Sequence, residues 1–498
     1  MDRSPHVQSL RDSTRPRQFM IVPALLALAT LAPALPAAAP ALAAPQGATA
    51  QSTTQAPAQR SARQQRAIQQ LLRVGLGSSS PTLGGAFTTG SGPQVQVTGS
   101  PVPGVWQITI GDPGTGWVES LLVGIPSTPA VPNTPLLVMF HGANISEWDC
   151  YENTPLFQDA LNRGWYVIAP LGAHQLNWAI PYAQQNIEYG LSMFAELLPI
   201  DPNRIYGIGF SMGGGTMMSY AARHHDLNRP RFAALVNHTG ATSIAHTYYS
   251  VASTPAFDNP LLFGGPPTSN PFLYSQASTI DLDPGTLVVD PNTDQARNLA
   301  HVSVLNQHAQ GDPLVYLIEQ TQAVYSWLAA IPGMETFLLT PPQNVHDWTT
   351  IDEPTALNYL QSKTLQTPAE GQHRLLADRE ANWFHFYVYQ DAPGAFTPLR
   401  WTMNSAANSL VIDETENLAR LVVNTASIGL NTAVNLEVVM QSTDGGAEVT
   451  TLTGYPLRPQ RVQRNGVSST DWSWDPVGKT VTLNENDPGS GAVWKVRP

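Results

Sequence analysis

The run Arg204-Ile205-Tyr206-Gly207-Ile208-Gly209-Phe210-Ser211-Met212-Gly213-Gly214-Gly215-Thr216-Met217-Met218-Ser219-Tyr220-Ala221-Ala222 decides the fold. Its first half reads as an apolar strand ending at Gly209, and its second half, from Gly213, as a helix. A serine at such a joint, with glycine two residues before and two after, is the nucleophile-elbow pattern. The serine backbone is strained there, and a Cβ at Gly209 or Gly213 would clash in so tight a bend. The helix start brings backbone N–H groups beside the Ser211 Oγ. Five residues alone are a weak match; the strand before them and the helix after them make Ser211 the expected nucleophile.

On either side of this run, strands and helices alternate. Pro135 to Phe140 and Tyr166 to Pro170 are continuous apolar runs of the kind buried on both faces of a parallel sheet. Phe232 to Val236, His301 to Asn306 and Glu335 to Thr340 continue the series, with helix-like segments near 155–163, 185–198, 213–224 and 317–330, and a closing helix at Thr355 to Lys363. This predicts a mostly parallel sheet covered by helices on both faces. Val105 to Ile110 and Trp117 to Ile125, joined through Asp112-Pro113-Gly114, predict a hairpin ahead of it.

The stretch from Pro135 to His346 resembles the α/β-hydrolase superfamily, and Phe140-His141-Gly142-Ala143 resembles that family's His-Gly loop after the third strand. The resemblance implies an oxyanion hole from the N–H groups of Met212 and Ala143, with Asn144 as the alternative to Ala143, and a structural His141. It also implies the order serine, acid, histidine. The acid is expected at Asp312, in Gln310-Gly311-Asp312-Pro313-Leu314-Val315, with Asp290 as the competing candidate; Gly311 directly before the acid departs from the usual Gly-x-x-Asp-x-x-Val. The base is expected at His346, in Asn344-Val345-His346-Asp347-Trp348. Ser211, Asp312 and His346 would then carry out two-step acyl transfer with no cofactor and no metal.

The residues around this triad are read with less support. Asn144, Trp178 and His238 lie in loops or strand ends expected near the site and are candidates for binding substrate; the alternative for His238 is satisfying a backbone group, and for Trp178, as for Trp148 in another loop, it is buried packing. Tyr248 and Tyr249 lie in an insertion at 241–300 that is rich in proline and aromatic residues, and it is expected either to cap the pocket and grip an acyl or aromatic group or to be a packed surface excursion. His224-His225-Asp226 has no spaced partner ligands and reads as a solvated helix end rather than a metal site.

The ends have other textures. Residues 1–43 carry Arg3, Arg11, Arg15 and Arg17, then an uncharged run ending in Ala41-Leu42-Ala43, the pattern of a cleaved signal peptide. The mature protein is therefore expected to be secreted or periplasmic, without a transmembrane segment. Residues 44–100 read as a flexible polar lead-in, with Arg60, Arg63 and Arg66 on one face of a short helix. The catalytic unit is expected at 101–366, a linker at 367–382, and an all-β, sandwich-like domain at 383–498, where Trp401, Trp472 and Trp474 are candidates for a polymer-binding surface.

A net charge of −12 over 498 residues, falling to about −14 without the leader, disfavours nucleic acid and anionic lipid as partners. Cys150 is the only cysteine, so no intrachain disulfide can form. Together these features point to a secreted carboxylic-ester hydrolase, with polymeric or aromatic esters among its candidate substrates. Export, a linker and a β-rich appendage resemble secreted polyester depolymerases and feruloyl-type esterases, and the Ser-Met-Gly-Gly-Gly run resembles cutinase-like enzymes. A secreted serine peptidase resembling the prolyl oligopeptidases, and a binding protein with an inactive hydrolase domain, are the alternatives.

Overall fold

The computed structural model describes residues 94–99, 104–112, 117–127, 133–251, 255–260, 262–441, 448–485 and 491–498. The expected signal peptide and all but the last few residues of the lead-in lie outside them.

The apolar runs form the centre of a nine-stranded sheet. Its strands are β1 (Gln94–Gly99), β2 (Val105–Asp112), β3 (Trp117–Gly124), β4 (Thr134–Phe140), β5 (Tyr166–Pro170), β6 (Ile200–Phe210), β8 (Ala234–His238), β9 (Ser303–Gln307) and β10 (Thr336–Leu339); the short β7 (His225–Asp226) belongs elsewhere. The spatial order is β1-β2-β3-β5-β4-β6-β8-β9-β10. The first three strands and the β3–β5 pair are antiparallel, and every pair from β5 to β10 is parallel. Apart from the extra edge strand β1, this is the strand order of the α/β-hydrolase fold, and the chain has that fold. β1 corrects the reading of residues up to 100 as lead-in: Gln94-Val95-Gln96-Val97 alternates as an edge strand does, and it pairs along its whole length with β2.

The helices cover the sheet from both sides. α1 (Leu156–Asn162), α2 (Pro181–Leu197), α3 (Met212–Arg223), α7 (Val315–Ala329) and α8 (Glu353–Gln361) flank the strands, and α4 (Ile244–Ser250), α5 (Pro255–Asp258) and α6 (Pro271–Ala277) lie in the 241–300 insertion. One apolar core gathers Leu136, Val138, Ile187, Phe194, Met217 and Val304; another, on the opposite face, gathers Leu137, Met139, Phe157, Ile208, Leu357 and Leu360. Successive residues of β4 alternate between the two, which is why that strand is apolar without interruption.

Two seven-stranded sheets make up the C-terminal part. They enclose Trp383, Phe386, Trp401 and Trp494. Trp401 is fully buried, which removes it as a binding aromatic, and Trp472 and Trp474 are half-buried with their indole N–H groups bonded to Ser469 O (3.0 Å) and Tyr455 O (3.1 Å).

The expected linker is not one. Gly371–Ala377 is an edge strand of the sandwich, and Asp378 is buried, accepting Arg223 Nε (2.7 Å), Gln276 Nε2 (2.9 Å) and Arg379 Nη1 (2.9 Å). Gln372-His373-Arg374 is polar throughout and only Leu375-Leu376-Ala377 is apolar, so the segment carries no regular strand alternation in sequence. The His224-His225-Asp226 segment is likewise not solvated. His224 stacks on Tyr220 (4.0 Å between rings), His225 stacks on Phe384 (4.3 Å), and β7 extends one sandwich sheet by pairing with Ala381–Phe384. Burial pushes both imidazoles well below their ordinary values, so they sit there as neutral aromatic rings.

Candidate active site

The elbow takes the geometry its sequence requires. Ser211 has φ 56° and ψ −123°, a region costing a non-glycine residue roughly 1 to 3 kcal/mol, and it stands between the end of β6 and the first turn of α3. Its N–H bonds His238 O (3.0 Å), and its carbonyl accepts Ala241 N–H (3.0 Å), so β8 and the start of the insertion hold the strained residue from both sides. A Cβ on Gly213 would overlap the carbonyl oxygens of Phe140 and His141. Glycine there lets the helix start approach the His-Gly loop.

Three predicted residues meet. His346 Nε2 lies 2.9 Å from Ser211 Oγ, and His346 Nδ1 lies 2.7 Å from Asp312 Oδ2. Asp312 is buried, and its Oδ1 accepts Leu314 N–H (2.8 Å), which fixes the carboxylate plane. The acid and histidine loops run side by side after β9 and β10: His308 N–H bonds Leu339 O (3.1 Å), Gln310 N–H bonds Pro341 O (2.8 Å) and Gly311 N–H bonds Gln343 O (3.0 Å). A side chain on Gly311 would overlap Asn344 Oδ1, so the unusual glycine before the acid leaves room for Asn344 against the acid loop. Asp290, the competing acid, is exposed; its Oδ1 accepts Asn292 N–H (2.9 Å) and it takes no part. Asp347 caps the turn that follows by accepting Thr349 N–H (2.9 Å).

An aromatic bed supports the imidazole. The Phe210 ring is centred 4.6 Å from His346, 5.1 Å from His238 and 5.2 Å from Trp348, and Trp348 Nε1 donates to the buried Asp149 Oδ2 at 2.8 Å. Sequence reading missed Phe210, Thr350 and Asp149 in these roles, because nothing local distinguishes them from core residues. His238 requires correction: it is 1% exposed, its Nε2 meets Thr350 Oγ1 at 2.6 Å, and burial lowers it to about 3. It packs beneath the site as a neutral ring and does not line it.

The oxyanion region is built from two loops. Ala143 N–H has no backbone acceptor among the described residues, and Met212 N–H opens a helix, where no intrahelical partner exists. Asn144 is exposed at φ 62°, but its N–H is committed to Gln175 O (2.9 Å), which removes it as the alternative donor. His141 is buried with Nε2 2.9 Å from Leu171 O and Nδ1 2.7 Å from Gly142 O, a structural placement.

Apolar side chains border the site on one side. Half-buried Trp178 packs against Phe257 with the rings tilted by 34° (5.3 Å), and half-buried Tyr248 meets Phe257 (5.6 Å) and Tyr274 (6.0 Å) edge-on; Tyr249 is 47% exposed at the rim. This cluster reaches the site at Ala241 and at Leu314, the residues bonded to Ser211 and Asp312. A cavity of about 340 Å³ lies elsewhere, between the two parts of the chain, lined by His301, His373, Arg374 and Trp401 and by none of these residues.

No family model matches the chain, and no curated protein matches it. Solved structures do. An S-formylglutathione hydrolase from Agrobacterium tumefaciens is 12% identical over 54% of this chain and 98% of its own, with a TM-score of 0.37. Acetyl xylan esterase 1 from a Thermoanaerobacterium species is 17% identical over 54% and 88%, with a TM-score of 0.37. An acylaminoacyl peptidase from Pyrococcus horikoshii is 16% identical over 55% and 48%, with a TM-score of 0.40. The chain is similar to each over about half its length; the strand order, not this likeness, carries the fold.

Proposed function

We propose that the protein is a serine hydrolase that cleaves carboxylic esters through an acyl-enzyme on Ser211. The observation that carries the reading is the continuous hydrogen-bonded line from Ser211 Oγ through both ring nitrogens of His346 to buried Asp312, at a serine held in the strained elbow conformation. In the reaction, Ser211 Oγ attacks the ester carbonyl carbon while His346 Nε2 takes its proton. Asp312 holds the Nδ1–H tautomer and balances the charged imidazole. The carbonyl oxygen becomes an oxyanion facing the N–H groups of Met212 and Ala143, a contribution of about 3 to 4 kcal/mol per donor. His346 then protonates the leaving alcohol, and the same groups activate water to release the acid.

The apolar cluster beside the site supports an acyl or aromatic group as the part of the substrate that is gripped, with Trp178 and Tyr248 as its contacts. The signal-like leader supports action outside the cytoplasm. No helix among the described residues is long and apolar enough to cross a membrane. A panel of nitrophenyl esters graded by chain length and aromaticity, run against peptide nitroanilides, tests the reading. Ester turnover with a preference for aromatic or medium acyl groups is expected; cleavage of amides with esters untouched would overturn it.

A further inference from the structure

β3 carries a carboxylate on the face that Leu121 and Val123 turn into the apolar core. Glu119 is 0% exposed, and among the described residues no lysine or arginine lies within ion-pair distance of it. Its partners are instead three N–H groups: Oε1 accepts Gly172 N–H (2.8 Å), and Oε2 accepts Ala173 N–H (2.7 Å) and Asn186 Nδ2 (3.1 Å). Burying a carboxylate without a cation is costly, whereas an apolar side chain could fill the same space. A carboxyl group is suited to this position because each of its oxygens keeps a lone pair to accept a loop N–H whether or not it is ionised, whereas the amide nitrogen of a glutamine would face one of them, donor against donor.

The loop so held, between β5 and α2, reaches the oxyanion region. Leu171 O meets His141 Nε2 (2.9 Å) and Asn177 Nδ2 (3.1 Å), and Gln175 O accepts Asn144 N–H (2.9 Å). His141 and Asn144 bracket Gly142-Ala143, and Asn177 in turn accepts Thr216 Oγ1–H (2.9 Å) from the first turns of α3. The next residue of β3, Ser120, donates to Glu147 at the far end of the same His-Gly loop.

We propose that Glu119 is a positioning residue for the oxyanion hole: by accepting both N–H groups at Gly172 and Ala173 it fixes the loop whose carbonyls hold the Ala143 N–H in place. This rests on the reading of Ser211 as the nucleophile. Glu119 never touches substrate; its effect passes through Leu171 and Gln175 to the loop that does.

The test uses the whole protein with Glu119→Gln and, as a milder second variant, Asn186→Ala. Each is assayed for kcat and KM on a nitrophenyl ester, for melting temperature, and for affinity toward a trifluoromethyl ketone, whose adduct with the serine presents an oxyanion. For Glu119→Gln, kcat and ketone affinity should both fall by about 10- to 100-fold while KM stays within about threefold, because one misplaced oxyanion donor acts on the transition state rather than on ground-state binding. Asn186→Ala should shift both in the same direction by a smaller factor. A folded Glu119→Gln with unchanged ketone affinity would overturn the proposal. If that variant does not fold, an Asn186→Ala protein that melts earlier yet binds the ketone as tightly as wild type would also overturn it. Wild-type protein that neither hydrolyses esters nor binds the ketone would remove the Ser211 reading itself, and this proposal with it.

Discussion

Ser211 is held at φ 56° by bonds from two neighbouring segments and by glycines that let the next turn of chain approach. The space at Gly213 is filled by backbone oxygens, which cannot swing aside as a side chain could. Gly213→Ala should therefore cost at least about 3 kcal/mol or prevent folding, read from urea denaturation and from loss of probe labelling. His238 gives the opposite test. Buried under Phe210 and bonded to Thr350, it should behave as a structural group: His238→Gln should lower stability by about 1 to 3 kcal/mol while kcat changes only a few-fold. Ser211, Asp312 and His346 were legible because each follows a recognisable strand, and loop position carries their identity. His238 was misread because a histidine at a strand end looks the same in sequence whether it faces the substrate or the core.

Pairs of elements set the geometry that single residues exploit. Asn344 fills the space beside Gly311, so Gly311→Ala should displace the Asn344 side chain and, through that loop, lengthen the contact between Asp312 and His346. A fall in kcat of about 10- to 100-fold with a retained fold is expected, since misplacement of about 1 Å costs on that order. Glu119 ties strand β3 to the loop before α2, and burial, opposed by its three N–H donors, raises its carboxyl to about 7; Glu147 and Tyr182 are the titratable neighbours it faces. Because its folded value lies above the ordinary 4.5, the stability it contributes is present below that pH and is lost as pH rises through about 7. The stability of wild type relative to Glu119→Gln should therefore decline by about 3 kcal/mol between pH 4.5 and pH 7.5, measured by chemical denaturation at each pH. The core strands and helices were readable from their periodicity. The strand at Gly371–Ala377 and the edge strand β1 were not, because polar edge strands beside glycine and proline resemble linker.

The two parts of the molecule share a buried seam. Arg223 closes α3 and ion-pairs with Asp378, both fully buried, while Asn298 imitates a strand by exchanging bonds with Leu376 O (2.9 Å) and Leu376 N–H (2.7 Å). The C-terminal part thus completes the catalytic part, where the sequence had implied a tethered module. Asp378→Ala leaves a buried guanidinium without its counter-charge and should cost about 3 to 5 kcal/mol by thermal or urea unfolding. A protein ending at Thr367 should be insoluble rather than active. The seam could not be read from sequence, since both halves of each contact lie more than 70 residues apart and neither carries a local signal.

Treatment of the purified protein with a fluorophosphonate probe, wild type beside Ser211→Ala, with nitrophenyl-ester hydrolysis followed in the same samples, bears most directly on the catalytic reading. Wild type should be labelled at Ser211 and hydrolyse the ester, and Ser211→Ala should lose labelling completely and ester turnover by at least about 10⁴-fold with an unchanged melting curve. Labelling at another residue, or ester turnover that survives in Ser211→Ala, would contradict it.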